Sequence, residues 1–273
     1  MSEAALVTRT AVPATRGSLG RELQRAGLEA ASTVIVHTSL KALGWIAGGP
    51  VALIEALIDV VGDNGTIIMP AHSPQMTDPA NWQHPAVPQA WHAVIEAEMP
   101  AFDPATTPSR GMGQTAELFR TWPGTLRSNH PMTSFAARGE RAAALMRRHD
   151  LESPLGEGSP LAELYHEGAV VLLLGVGFDR CTMMHLAEDH AFPRRPKMRQ
   201  ASAVTENGQR VWKRYSISEN MNSERFVAVG ADLVADGTAR RFAIGAGYGI
   251  IVPARAAVDR AAAAWRATDW AQG

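Results

Sequence analysis

The sequence predicts a layered α/β domain: a central, mostly parallel or mixed sheet flanked by helices, with a long loop-rich insertion and a small β-rich C-terminal portion. Three observations carry this. Residues 33–37 read as a buried strand, Pro50 opens a helix with an apolar stripe, and residues 66–70 read as a second strand. Strand, helix and strand at this length form a βαβ unit, hence a parallel pair. A second apolar run, 169–174, ends in glycines and leads into a short helix pattern studded with polar side chains. The 273 residues are 46% apolar and 19% charged, which is enough to fill one sizeable core and too apolar for disorder.

Residues 1–17 are polar and turn-rich and read as a loosely held lead-in. A short helix follows, from the cap candidate Ser18 to a stop at Gly27. The helix opened by Pro50 carries its stripe on Val51, Ile54, Leu57, Ile58 and Val61, and Gly62 stops it. Asp63-Asn64-Gly65 turns the chain into the second strand. Residues 71–114 then break the pattern: they are proline-rich, with at most one helix at 89–98, and hold Trp82, Trp91, Asp78, Glu96, Glu98 and Asp103. Long loops within compact domains are usually functional or disordered, and the tryptophans favour an ordered wall of a site. Helices are expected near 114–121, 137–149 and 160–167. Residues 199–214 alternate around Asn207-Gly208, a hairpin signal. A helix at 223–235, a glycine-broken β segment at 242–252 and an alanine-rich helix at 254–270 close the chain. The whole reads as one domain over 1–273, with the insertion at 71–114 and a small β-containing lobe at 199–253.

The net charge of −1 provides no basic field for nucleic acid and no polybasic tail for a membrane surface. No apolar run approaches the roughly 20 residues that cross a bilayer. The single cysteine, Cys181, excludes an internal disulfide, and the N-terminus lacks the pattern of a signal peptide. A cytoplasmic protein is the expectation.

The stretch Cys181-Thr182-Met183-Met184-His185-Leu186-Ala187-Glu188-Asp189-His190 follows the apolar run at 169–174, where a sheet delivers reactive groups to a crevice at the carboxyl ends of its strands. On a helix Thr182, His185 and Glu188 share one face. A histidine with a carboxylate one turn away is the minimal apparatus for taking a proton at neutral pH. The plain alternative is a solvated polar face with Thr182 as its N-cap. His190 lies about 140° around a helix from His185, so the two share no ligand face, and no cysteine-rich cluster occurs; no metal is expected.

Two small-residue loops could let backbone N–H groups approach a phosphate or amide. One is His37-Thr38-Ser39-Leu40-Lys41 with Gly44 and Gly48-Gly49. The other is Thr107-Pro108-Ser109-Arg110-Gly111-Met112-Gly113, with Arg110 as a cationic fork. Both also read as ordinary turns. Arg127-Ser128-Asn129-His130-Pro131 is a turn whose His130 could contact a ligand or simply face water. No Gly-x-Ser-x-Gly elbow occurs, and Ser159 before Pro160 reads as an N-cap. Cys181 reads as a small buried residue, and the cluster Arg194-Arg195-Pro196-Lys197-Met198-Arg199 as a solvated loop.

Taken together and in order, several of these segments resemble the aminoglycoside 3-N-acetyltransferases, an antibiotic N-acetyltransferase family distinct in fold from the GNAT enzymes. They are Val36-His37-Thr38-Ser39-Leu40 with Leu43-Gly44 and Gly48-Gly49-Pro50; Gly65-Thr66-Ile67-Ile68-Met69-Pro70; Phe102-Asp103-Pro104 with the 107–113 loop; the 127–131 turn with Ser134-Phe135; Ser153-Pro154; Leu173-Leu174-Gly175-Val176-Gly177; and Thr182-Met183-Met184-His185-Leu186-Ala187-Glu188. The resemblance spans roughly residues 18–262. Cys181 stands where the family often has Asn. After residue 200 the family's acidic strand is represented only by Glu219, Asn220, Asn222 and Glu224.

The resemblance implies acetyl-coenzyme A as donor and the 3-amino group of a 2-deoxystreptamine aminoglycoside antibiotic as acceptor, in a monomer or homodimer. It implies coenzyme binding by His37, Thr38, Ser39, Leu40, Ser109, Arg110, Gly111, Met112, His130 and Phe135. It makes His185 the catalytic histidine. Glu188 or Glu219 would orient the imidazole as the acid of a triad does. Backbone N–H groups near Ser39 or the Thr182 hydroxyl would meet the oxyanion. Acceptor binding is expected at His72, Asp78, Glu96, Asp103 and Glu219, whose carboxylates would draw a polycation to a near-neutral protein. Transfer is expected to be direct, because no activated nucleophile is evident. The alternatives are an N-acyltransferase of the same fold acting on another amine, a non-catalytic coenzyme A or amine-binding protein, and a metal hydrolase.

Overall fold

The structure, a computed structural model, describes residues 2–268. Its strands are β1 (Thr33–Thr38), β2 (Thr66–Pro70), β3 (Leu126–Arg127), β4 (Phe135–Gly139), β5 (Val170–Leu174), β6 (Lys197–Glu206), β7 (Gln209–Ser218), β8 (Arg240–Ile244) and β9 (Gly247–Pro253). Its helices are α1 (Glu3–Arg9), α2 (Arg16–Arg25), α3 (Gly49–Val61), α4 (His92–Glu98), α5 (Gly113–Phe119), α6 (Ala142–Arg147), α7 (Pro160–Glu167), α8 (Leu186–Ala191), α9 (Arg225–Ala235) and α10 (Ala254–Arg266).

Seven strands form the main sheet in the order β3-β4-β2-β1-β5-β9-β8. At its centre β1 runs parallel to β2 and β5, with Val34 opposite both Ile67 and Val170. Antiparallel β4 and β9 flank this trio. Ile35, Ile68, Val171 and Leu173 point to one face, under α6 to α10; Val34, Val36, Ile67, Met69, Leu172 and Leu174 point to the other, under α2, α3 and α5. Covering both faces is what a parallel sheet requires, and period-two alternation sorts the side chains between the two cores. The consequence for function is that β1, β2 and β5 all end at the same edge.

Several expectations change. Residues 3–9 form α1, capped by Ser2, rather than a loose lead-in. The Thr10 hydroxyl accepts from Trp45 N–H, and Ala14 bonds to both Trp45 and Ala47, so this segment braces the 43–49 loop. Helix α2 starts at Arg16, because Thr15 and Ser18 form a reciprocal capping box that places Ser18 inside the helix. The segment expected to be a helix at 137–149 is strand β4 followed by the short α6. The alanines Ala136 and Ala137 are fully buried beside β2, where sheet position overrides helix propensity. Strands β8 and β9 complete the main sheet, so within 199–253 only the β6–β7 hairpin stands apart. It turns on Asn207 and Gly208, both with positive φ. The expected end of the last helix at 269–270 lies outside the described residues.

The insertion and the hairpin hold each other. Phe102 N–H donates to the Ala203 carbonyl, the Asp78 N–H to Gln200, and Arg210 to the Met99 carbonyl. Arg127 crosses beneath, donating to the Ala71 carbonyl and to the Ser73 and Ser134 hydroxyls. Burial lowers its pKa to about 10.

Gly175, at the end of β5, has φ +68°, and a Cβ there would lie 2.6 Å from the Ala42 Cβ and 2.9 Å from the Ser39 carbonyl oxygen. Gly175→Ala is expected to lower stability by roughly 1–3 kcal/mol, through backbone strain and this collision. Urea unfolding at neutral pH measures it; a wild-type midpoint would mean that the two strand-end loops are not in contact.

Candidate active site

A cavity of about 1240 Å³ opens at the shared carboxyl edge of β1, β2 and β5, and each strand delivers a histidine to it: His37 from β1, His72 just past β2, and His185 beyond β5. Residues 182–185 form a 3-10 turn that runs into α8. The tight pitch brings Thr182 nearly into line with His185, and in the first turn of α8 the i,i+3 spacing places Glu188 beside His185. The His185 Nδ1 lies 2.7 Å from Glu188 Oε1. An ionised carboxylate only accepts, so Nδ1 carries the hydrogen and Nε2 keeps its lone pair. Phe226 meets the ring edge-on at 4.9 Å.

Glu188 is fully buried. Its other oxygen lies 3.9 Å from the Arg195 guanidinium, which is itself buried, 2.5 Å from Asp189 Oδ1, and donates to the Glu219 carbonyl. Arg195 therefore does not belong to a solvated loop, as its place in a charge run implied; only its neighbours Arg194, Lys197 and Arg199 are exposed. The Glu219 side chain is exposed and outside the cavity lining, so the carboxylate that orients His185 is Glu188. His190 turns away and pairs with Glu157 at 2.7 Å. Among the described residues no group of three or more His, Cys, Asp and Glu is placed to hold a metal ion.

Thr38, Ser39, Leu40, Gly111, Met112 and Thr182 line the cavity. The Ser39 N–H is engaged by the Leu174 carbonyl and does not face a ligand. Ser109 and Arg110 fall just outside. The Ser109 N–H and hydroxyl are held by Glu117, and the Arg110 N–H donates to the His72 carbonyl while its side chain is exposed. His130 and Phe135 are buried behind the site: the His130 Nδ1 accepts from the Met132 and Thr133 N–H groups, and Phe135 packs edge-on against His72 at 5.5 Å.

The acidic residues of the insertion do not reach the cavity. Asp78 caps the 79–81 turn, Glu96 pairs with Arg214, Asp103 caps residues 105 and 106, and Glu98 is exposed. Trp82 bonds to Thr77 and Trp91 is exposed, so neither forms a wall of the site. Two lining residues that sequence reasoning passed over are Thr115 and Phe226. The buried side-chain atoms Thr38 Oγ1, Thr115 Oγ1, His37 Nε2 and His72 Nε2 have no hydrogen-bond partner. All four belong to residues that line the cavity, whereas the other such atoms, among them His130 Nε2 and Trp212 Nε1, lie away from it. Cys181 is fully buried, and burial pushes its thiol pKa up to about 12, which makes it an inert packing residue.

A cleft at the ends of parallel strands, with a carboxylate-backed imidazole and glycine-rich loops beside it, is the equipment of an enzyme that moves a proton on a bound ligand. A family model described as aminoglycoside 3-N-acetyltransferase matches residues 35–266, and the chain belongs to that family. It is 44% identical over 232 residues to the SPbeta prophage-derived aminoglycoside N(3')-acetyltransferase-like protein YokD of Bacillus subtilis (strain 168), covering 85% of each chain. The crystal structure of YokD superposes with a TM-score of 0.94 at 40% identity, over 97% of this chain and 98% of that one. Aminoglycoside N(3)-acetyltransferase VII of Streptomyces paromomycinus is 37% identical over 95% of this chain and 94% of its own. A structure described as AAC-IIIb binary with CoASH superposes with a TM-score of 0.82 at 30% identity, over 92% of this chain and 96% of that one. No helix among the described residues is long and apolar enough to cross a membrane.

Burial lowers the pKa of His37 and His72 from 6.5 to about 3, that of His149 to about 4, and that of His130 well below 6.5. His37, His72 and His149 are neutral in the folded protein at pH 5, whereas the unfolded chain protonates them below 6.5. Their contribution to stability is therefore full above pH 6.5 and is lost as pH falls toward the folded values, by about 1.4 kcal/mol per pH unit for each of these three rings. Unfolding near pH 5 is expected to take up about three protons from them, with His130 acting in the same direction, read from the pH dependence of the urea midpoint. A flat midpoint between pH 7 and 5 would contradict burial of the neutral rings.

Proposed function

We propose that the protein transfers the acetyl group of acetyl-coenzyme A to the 3-amino group of a 2-deoxystreptamine aminoglycoside, with His185 as general base, and so confers resistance. The observation that carries this reading is the His185–Glu188 pair: a base locked in one tautomer, its free nitrogen on the cavity side. Coenzyme A lies along residues 38–41, 48–50 and 111–116. There the unpartnered Thr38 and Thr115 hydroxyls suit the amides of its pantetheine arm. Glycines 49 and 111 leave open space above their backbones for a close approach. The acceptor enters on the side of Thr182, Ser223 and Phe226.

An aminoglycoside amine is largely protonated at neutral pH and gives up one proton to water before it attacks. As the C–N bond forms, His185 Nε2 takes the second proton from the attacking nitrogen. The nitrogen lone pair forms the C–N bond, the carbonyl π pair moves to oxygen and returns, and the C–S pair leaves with sulfur. The proton held on Nε2 passes to the sulfur. Buried Glu188 stabilises the imidazolium between these steps. No acyl-enzyme forms: the one thiol is buried and un-ionised.

His185→Ala is expected to abolish acetyl transfer while coenzyme A still binds, with free thiol and calorimetry as the readouts; near-normal turnover would remove His185 as the base. Glu188→Gln preserves shape and removes the charge, and is expected to lower kcat by roughly 10²–10⁴-fold with little change in coenzyme affinity. An unchanged kcat would show that the carboxylate does not act through His185.

One observation favours a second acceptor class. The carboxylates lining the cavity are Glu3 and Asp179, the latter 3.1 Å from Arg180, and Lys41 also lines it. That lining suits an amine of low charge, as in an N-acyltransferase acting on a biosynthetic intermediate. Thiol release with a panel of aminoglycosides and simple amines separates the two classes; turnover only with the simple amines would replace the aminoglycoside reading.

A further inference from the structure

We propose that His37 and His72 form a pair of neutral hydrogen-bond donors that grip the thioester carbonyl oxygen and hold the negative charge that develops on it. This rests on the reading that a thioester fills the cavity. Three adjacent parallel strands each place one histidine at the same edge, with His37 on the central strand β1 between the elements that carry His72 and His185. All three residues line one cavity. The Nε2 atoms of His37 and His72 are shut off from solvent and have no partner in the protein. Both residues line the cavity, and a ligand group there is the partner assigned to these two atoms.

The neighbouring backbone cannot do the same work. The N–H groups of Ser39, Ala71, Ser73 and Gly175, at the ends of the three strands, are engaged by the carbonyls of Leu174, Ser134, Met132 and Tyr248. The loops that would otherwise supply an oxyanion hole have these donors turned into the sheet. Beside the Thr38, Thr115 and Thr182 hydroxyls, the imidazoles of His37 and His72 are side-chain donors that the strand ends bring to the cavity.

Neutrality suits this role. An imidazole that keeps its proton polarises a carbonyl without competing for the proton that His185 must take. Burial holds both rings uncharged, and charge on His185 opposes their protonation further. When the amine attacks, the carbonyl π pair moves to oxygen between the two N–H groups. When the pair returns, the C–S bond breaks and sulfur leaves with its electrons. His37 and His72 keep their hydrogens throughout; once the amine has entered uncharged, the proton it loses on attack travels to sulfur by His185.

The test needs no acceptor. The full-length protein is saturated with acetyl-coenzyme A labelled with ¹³C at the thioester carbonyl, and the carbonyl stretch is read by difference infrared spectroscopy. Wild type is expected to show the band shifted down from free acetyl-coenzyme A. His37→Gln and His72→Gln, which can present an amide N–H near the position of Nε2, should retain most of the shift. His37→Leu and His72→Leu should each lose a large part of it, and kcat with an accepted amine should fall by about 100-fold or more. ¹⁵N NMR of the wild-type complex supplies a check that no fold-sensitive variant affects: both rings should carry their hydrogen on Nε2. A band at the free position in wild type, equal bands in wild type and both leucine variants, or hydrogens on Nδ1 would overturn the assignment. Absence of acetylation with every aminoglycoside would sink the acceptor reading yet leave this infrared comparison intact.

Discussion

A carboxylate with no exposed surface holds the site together. Removing Glu188 from water costs several kcal/mol unless its oxygens meet donors and positive charge. The Nδ1–H of His185 answers one oxygen and the Arg195 guanidinium stands near the other. That arrangement fixes the tautomer of His185, points its basic nitrogen at the cavity, and ties the turn at 182–185 to the chain that leads into β6. The imidazole is positioned from behind by Glu188 and Arg195, neither of which lines the cavity.

The rest of the molecule brings three strand ends and their loops to that imidazole. The parallel trio β2-β1-β5 is buried on both faces, and its carboxyl edge becomes the floor of the cleft. Helix α1 and the Ala14 bridge brace the glycine loop on one side. On the other, Glu117 pins the start of the 109–113 loop and Arg127 binds the insertion to the sheet. The insertion is thus a brace between the sheet and the β6–β7 hairpin. Its acidic side chains cap turns and pair with arginines, and the potential they would add to the cleft is largely absorbed there.

Much of this was legible in the chain. Period-two and period-3.6 patterns marked β1, α3, β2 and the β6–β7 hairpin. The step from an apolar run through glycines to Thr182, His185 and Glu188 marked the catalytic edge, because spacing alone puts a base and a carboxylate together. What stayed hidden depends on distant contacts. Phe135-Ala136-Ala137-Arg138-Gly139 has the composition of a helix and becomes a strand only because β2 lies beside it. Arg195 sits in a run of exposed cations, and only Glu188 and Asp189 draw it inward. His72 is expected at the site as an acceptor contact on the resemblance alone; its place beside His37 and His185 in one cavity exists only in the folded sheet.

The most direct measurement is a crystal structure of the dead-end ternary complex with coenzyme A and a deoxystreptamine aminoglycoside. The account predicts the 3-amino nitrogen within hydrogen-bond reach of His185 Nε2, with the coenzyme sulfur on the far side of the position the acetyl carbon occupies. An aminoglycoside seated with no amine near that nitrogen, or His185 swung away from Glu188 to meet another group, would contradict it.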